Sequence, residues 1–424
     1  MFKGVKLTSI SKVIGSGVTP LRSNALFWEN GTIPWLKTEQ LGERQIFEAN
    51  EKITEYAVKE TAIKIFPVNT LSIAMYGEGK TRGNVSILKS PMTTNQACCN
   101  IIVDDKKADF EYVYYFLKTQ YNQLRALSSG IRKNLNSNDI KEYVIRLPEE
   151  LLTQQKIAAV LSALDSKIEL NNRINAELEA IAKTLYDYWF VQFDFPDQDG
   201  KPYKTSGGKM VFNDELKREI PIGWEVKRFG LLSNIARGVT YNRDQVLTPN
   251  DKKALPILRA TNINDGEIDL DDLIYVPANL VSVGQRLQKF DVLITMSSGS
   301  KVHIGKNAFY YFDKEISFGA FCSKLSIHKD YNFYIFTHLQ SKEFKKYIAN
   351  VCLGTNINNL TNEHLTNYRL LIPSAEQLEL FQKMTQGFYN RIANNLIENQ
   401  QLAELRDWLL PMLMNGQIVV KAEA

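Results

Sequence analysis

"GIRKNLNSNDIKEYVIRLP", residues 130 to 148, has a counterpart in "TNINNLTNEHLTNYRLLIP", residues 355 to 373. Each run ends in a proline, Pro148 or Pro373, and each leads into a long helical pattern. Elsewhere in the chain "GVTP" (17–20) meets "GVTY" (238–241) and "IPWLKTEQL" (33–41) meets "LPILRATNI" (255–263). "LSIAMYG" (71–77) meets "VLITMSS" (292–298), and "NQACCNIIV" (95–103) meets "FGAFCSKLSI" (318–327). The offset drifts only from 221 residues at Gly17 and Gly238 to 225 at Pro148 and Pro373, so small loop insertions account for it. Order-preserving matches over that distance make the chain two copies of one plan.

Each copy opens with about 145 residues rich in Gly, Asn, aromatic and β-branched types, in short strand-like runs. A long helix follows. The first runs from Leu151 to Phe190, with Ile157, Leu161, Leu164, Ile168, Leu178 and Leu185 at 3-4 spacing. The second runs from Ala375 to Met414, with Phe381, Phe388, Ile392, Leu402 and Leu409. Amphipathic helices about 60 Å long pack as coiled coils rather than stand alone.

A length of 424 residues predicts two domains, and 44% hydrophobic with 23% charged residues is ordinary soluble composition. No apolar stretch reaches membrane-spanning length, and "MFKGVKLTSI" has no signal-peptide core. Cys98, Cys99, Cys322 and Cys352 have no CxxC spacing and read as buried thiols of a reducing, cytoplasmic compartment. The four histidines form no ligand cluster, so no metal is expected. A net charge of +4 permits nucleic acid without demanding it, and basic residues gather in "KREIPIGWEVKR" (217–228) and "SSGIRKN" (128–134).

"MYGEGKTRGNV" (75–85) spells the end of a nucleotide-binding phosphate loop at Gly79, Lys80 and Thr81. Ala74 stands where the leading glycine belongs, and "NVSILKS" (84–90) alternates as a strand instead of opening a helix. Its counterpart "TMSSGSKVHIGKN" (295–307) lacks GKT. A loop gripping a backbone fits both copies; an ATP site does not.

Together, "TLYDYWFVQFDF" (184–195), "IPIGWEV" (220–226), "GVTP", "NQA" (95–97) and the "G...NL....I......LP" run into each helix resemble the specificity subunits of type I restriction-modification systems. The resemblance covers essentially the whole chain. The first half lacks the "PxGW" opening found at Pro221 to Trp224, and "FGA" (318–320) replaces "NQA". It implies an α+β fold: two tandem loop-rich α/β target recognition domains separated by two long helices in an antiparallel coiled coil. The expected domains are 1–147, the first recognition domain; 148–190, the central helix; 191–372, the second recognition domain with its linker; and 373–424, the C-terminal helix and tail. The implied partners are double-stranded DNA, two modification subunits that methylate adenine, and motor-nuclease restriction subunits; a related methyltransferase system without a motor-nuclease is the alternative. The chain itself carries no [ND]PP[YF] or FxGxG motif, so no catalytic residue and no cofactor is expected. "ExK" (78–80) and "DxK" (165–167) are nuclease fragments by spelling only.

Residues able to grip phosphate or read base edges follow from side-chain type and loop position. In the first half they are Lys37, Thr38, Tyr76, Lys80, Arg82, Asn95, Arg132, Lys133 and Asn134. In the second, by repeat alignment, they are Arg259, Thr261, Asn262, Ser298, Lys301, His303, Asn356 and Asn358. Trp189, Phe190, Phe193 and Phe195 lie among acidic residues that repel phosphate, and read as packing the helix end onto its own domain. Along the helices the 3-4 seam passes through Asn171 and Asn175, then Asn395 and Asn399. Antiparallel pairing of Asn171 with Asn399 and Asn175 with Asn395 joins the amide layers and sets register, since an Asn facing an apolar residue leaves its amide unpaired. The competing arrangement runs the seam through Ile174 and Leu396.

Two other function classes contend with DNA reading. A nucleotide-dependent enzyme needs the loop at Lys80, and a pure scaffold does not account for two loop-rich domains with basic clusters.

Overall fold

A computed structural model of the chain describes residues 1–77, 79–127, 134–264, 266–352 and 359–420. It separates into two compact units, 1–169 with 400–424 and 170–399, so each long helix contributes residues to both.

Within the first unit, Phe2–Lys6 pairs antiparallel with Val144–Pro148. A five-stranded sheet has the order Ser11–Ser16, Cys98–Val103, Leu71–Ala74, Val85–Leu88 and Gln45–Ile46. A three-stranded sheet places Ile33–Leu36 between Glu51–Ile53 and Thr93–Thr94, the latter pairing parallel. Every residue of Leu71–Ala74 and Val85–Leu88 is buried, because both faces of these strands are covered; such strands read as continuous apolar runs with small polar insertions. The helix Phe110–Thr119 is capped by Asp109, whose side chain accepts from the Tyr112 N–H, and buries six consecutive residues from Tyr112 to Leu117.

The second unit repeats this plan. Glu225–Arg228 pairs with Arg369–Ile372, and a four-stranded sheet runs Ser233–Arg237, Cys322–Ile327, Val292–Thr295, Asn307–Phe309. Ala254–Leu258 lies between Ile274–Pro277 and a parallel partner, Ser317–Phe318. The described part of residues 130–148 forms the helix Ser137–Glu142 and the strand Val144–Pro148, and residues 355–373 give the matching Asn362–Thr366 and Arg369–Ile372.

The helices are Leu151–Tyr186, continued by a π-helical turn at Asp187–Val191, and Ala375–Met414. In the first unit Ile157, Ala158 and Leu161 share a core with Leu413 and Met414. Ions hold the same segments: Asp165 accepts from Arg406 Nη1 at 2.8 Å and from the Tyr115 hydroxyl at 2.6 Å, while Arg44 reaches Glu111 at 2.9 Å.

In the second unit aromatic packing replaces the ions. Tyr186, Trp189, Phe190, Phe193 and Phe195 are buried with Trp224, Tyr334, Phe381 and Tyr389. Tyr186 and Tyr368 hydroxyls flank the buried His338, at 2.8 Å from Nδ1 and 2.7 Å from Nε2. Along the same helices, Asn171, Asn175 and Asn395 are 0%, 8% and 1% exposed, whereas Ile174 and Leu396 are partly exposed. Asn171 Nδ2 donates to Asn399 Oδ1 at 2.9 Å and to Glu398 at 2.8 Å; Asn395 Nδ2 donates to Asn175 Oδ1 at 2.8 Å. Asn399 also donates to Asn172 at 2.7 Å. These pairs run in opposite directions along the two helices, and sliding either helix by a turn would break all of them in a buried seam.

Among the described residues no helix is long and apolar enough to cross a membrane, and no three His, Cys, Asp or Glu side chains stand together to hold a metal ion.

Candidate nucleic-acid interface

In each unit, loops far apart in sequence are strung together by backbone hydrogen bonds at the ends of the strands. In the first, the Asn95 N–H donates to Leu36 O at 2.9 Å, Met75 N–H to Ala97 O at 2.8 Å, and Leu135 N–H to Met75 O at 3.1 Å. In the second, Gly319 donates to Leu258 at 2.9 Å, Met296 to Phe321 at 2.8 Å, and Leu360 to Met296 at 2.8 Å. The "GVT" loops close the set: Val18 donates to Thr94 O at 2.9 Å and Val239 to Phe318 O at 2.8 Å. Glycine is required at their first position, since a Cβ on Gly17 or Gly238 would stand 2.1 Å from a carbonyl oxygen of Thr94 or Gly319.

This string gathers Lys37, Thr38, Tyr76, Lys80, Arg82, Asn95 and Asn134 onto adjoining loops of the first unit. Lys80 is exposed, and its loop is held from behind: the Tyr121 hydroxyl donates to Lys80 O at 2.7 Å, and Arg125 Nη1 donates to Gly79 O at 2.8 Å and Arg82 O at 3.1 Å. A cleft of about 400 Å³ is lined by Gly42, Lys80, Gly83, Asn84, Lys118 and Tyr121, two lysines among them. The strand Val85–Leu88 follows this loop where a nucleotide-binding phosphate loop would lead into a helix. Glu78, Arg132 and Lys133 lie outside the described residues.

Lys37 is held by Glu39 at 2.7 Å and Glu51 at 2.8 Å, and the hydrogen bonds to Glu39 and then Glu51 raise its pKa. Glu51 also accepts from Arg22, whose hydrogen bond is the main cause holding that carboxyl below its ordinary range, with Lys37 adding to it. Arg259 occupies the matching place in the second unit and donates to Asp272 Oδ2 at 2.9 Å. A phosphate reaching either cation would replace a carboxylate rather than meet a bare charge.

Asn95 Oδ1 accepts from the Ala97 N–H at 3.1 Å and shapes its own turn. Asn262 is 3% exposed, with Oδ1 accepting from the Arg259 N–H and Nδ2 donating to Asp271 O; its amide holds the loop that presents Arg259 and Thr261. Thr261 and His303 are exposed, and Ser298 is partly exposed. The Lys301 side chain, Asn356 and Asn358 lie outside what is described. Asp165 of the "DxK" spelling is taken up by Arg406 and Tyr115.

Several residues of these loops escaped sequence reading. Arg22 stacks 3.8 Å from the Trp28 ring centre and 4.7 Å from Trp35, and Thr19 hydrogen-bonds Gln96. In the second unit Tyr241 and Phe321 line the equivalent position. Gln96 lies inside the quoted "NQA", which was the available signal; the Arg22 stack depends on folding.

Comparison with known proteins points in one direction. The type I restriction modification DNA specificity domain matches residues 2–180 and 221–406. The type I restriction enzyme MjaIX specificity subunit of Methanocaldococcus jannaschii is 32% identical over 427 residues, covering 98% of this chain and 93% of the relative. The StySPI specificity subunit of Salmonella potsdam is 38% identical over 168 residues, 39% of this chain and 36% of its own. The crystal structure of a type I restriction-modification S subunit from M. genitalium aligns with TM-score 0.57 and 17% identity over 100% of this chain and 97% of that one, a likeness of fold.

Proposed function

Because the chain belongs to the type I restriction modification DNA specificity family, we propose that each of its two loop constellations reads one half of a bipartite duplex site. The observation that carries this is the repeated backbone string: the same three hydrogen bonds hold corresponding loops in both units, while the side chains they present differ, "YGEGKTRGN" against "SSGSKVHIG". A shared frame with different lettering suits two readers of different sequence. The chain itself is non-catalytic; adenine methylation belongs to modification subunits that dock on it, and cleavage to restriction subunits. Exposed apolar residues on the helices, Leu152 and Ile181 on the first and Leu405 and Trp408 on the second, supply surface for such docking.

The test is an exchange of residues 1–147 for the corresponding domain of another family member, assembled with modification subunits, with methylated sites read by sequencing. One half of the site should change and the other persist. Both halves changing together, or methyl transfer by the purified chain alone, would refute the proposal.

Lys80→Ala should weaken binding to cognate and scrambled duplexes alike and make the slope of log affinity against log salt shallower by about 0.9. The loop is gripped through its carbonyls, so the substitution removes the ammonium without releasing the backbone. A loss confined to one base position would make Lys80 a base reader.

A further inference from the structure

The corresponding place in the two units is built from opposite chemistry. In the first, Thr19 of the "GVT" loop hydrogen-bonds Gln96 of the facing loop. The matching backbone bonds, Asn95 to Leu36 with Gly319 to Leu258 and Met75 to Ala97 with Met296 to Phe321, set Ala320 opposite Gln96 and Phe321 opposite Ala97, one residue along from the match of "FGA" to "NQA"; Thr240 stands opposite Thr19, and alanine has no side-chain acceptor to complete the bond. A cavity of about 380 Å³ lies there, lined by Thr240, Tyr241, Arg259, Thr261 and Phe321. Phe321 is 66% exposed, yet its carbonyl accepts from the N–H groups of Met296 at 2.8 Å and Ser297 at 3.2 Å, so its backbone is fixed. Val302, on the neighbouring loop, is 77% exposed. The first unit has Ala97 and Thr81 at the two positions. An aromatic ring held out to solvent beside hydroxyls and a guanidinium has apolar area to bury when the loops meet a ligand.

Resting on the reading of these loops as a DNA interface, we propose that the second unit recognises a thymine in its half-site through the C5 methyl group, packed against the Phe321 ring. That methyl is the apolar group a base pair presents in the major groove, and phenylalanine is among the side chains suited to it. Arg259 and the Thr240 and Thr261 hydroxyls then face the polar edges and backbone around it. The first unit, with Gln96 and Thr19 bonded and no ring at position 97, reads without this contact.

The experiment uses the full chain with its modification subunits and the duplex identified from its methylated sites. Each thymine of the second half-site is replaced in turn by deoxyuridine, which removes only the methyl group. At one position the wild-type complex should bind about fourfold more weakly, the effect of one lost methyl contact. Phe321→Ala should bind thymine and uridine duplexes equally at that position, and Phe321→Leu should retain part of the difference. The exposed ring lets these variants fold, which unfolding curves matching the wild type would verify. Insensitivity to uridine at every position, or an equal loss in wild type and Phe321→Ala, overturns the thymine contact. The domain exchange separates the two ideas: a chimera that keeps the old site refutes the two-reader proposal, whereas a changed site with a uridine-insensitive complex refutes only this contact.

Discussion

Asp165→Ala is expected to destabilise the first unit by about 3 kcal/mol, the lower end of the scale for removing one partner from a buried ion network, because the two arginines keep other carboxylates. The Asp165 side chain is 10% exposed and Arg44 7%, so neither charge has water to fall back on. Its carboxylate serves Arg406, the Tyr115 hydroxyl and, at 3.9 Å, Arg44 Nε. Burial opposes the Arg406 charge most strongly, but the hydrogen bonds and charges of Asp165 and Asp407 together outweigh it and leave the guanidinium pKa above its ordinary value. Burial, and then the Asp165 charge, push the Tyr115 phenol up, so it stays protonated and donates. Losing the carboxylate takes the acceptor from the buried Tyr115 hydroxyl and leaves Arg44 to Glu111 and Arg406 to Asp407. Arg406→Met should cost clearly less, because Asp165 keeps Tyr115 and Arg44. Denaturant unfolding of both variants decides the matter; a loss below about 1 kcal/mol for Asp165→Ala would mean that the network contributes no more than a surface pair.

Acid should weaken the second unit through His338. Burial, and secondarily the Arg218 charge, lower its pKa from 6.5 to about 3. The folded protein therefore keeps this ring neutral where the unfolded chain protonates it. Stability from this residue is complete above about pH 6.5 and falls by about 1.4 kcal/mol per pH unit down to about pH 3. Between pH 7 and pH 5 the loss is about 2 kcal/mol. In the neutral ring one nitrogen donates to one tyrosine oxygen and the other accepts a hydroxyl proton, so both flanking groups are satisfied by a single tautomer. A His338→Gln variant should lack that part of the pH dependence, and the His338 imidazole resonances of the wild type should not titrate above pH 5. Parallel stability profiles for the two proteins would exclude the assignment.

The repeat, and with it most of the architecture, is written in the order of the residues. Two copies in the same order, each ending in a proline before a 3-4 apolar pattern, leave room for little besides two homologous halves and a helix pair, because periodicity and chain order are properties of neighbouring residues. Absence of a phosphate-loop context was legible at Ala74 and Val85 for the same reason. Which loops meet is settled by folding alone. The bonds from Asn95 to Leu36 and from Gly319 to Leu258 are made by backbone groups that every residue carries, so no side-chain pattern announces them. Residue type also proved a poor guide to direction: Asn262 has the amide of a base reader, but folding turns both its polar atoms inward, whereas Phe321 has the side chain of a core residue and is held in solvent. Asp165 carries the spelling of a nuclease fragment, and its partner Arg406 lies 241 residues away. Where a side chain points depends on what the rest of the chain has already filled, and that is settled by packing rather than by local sequence.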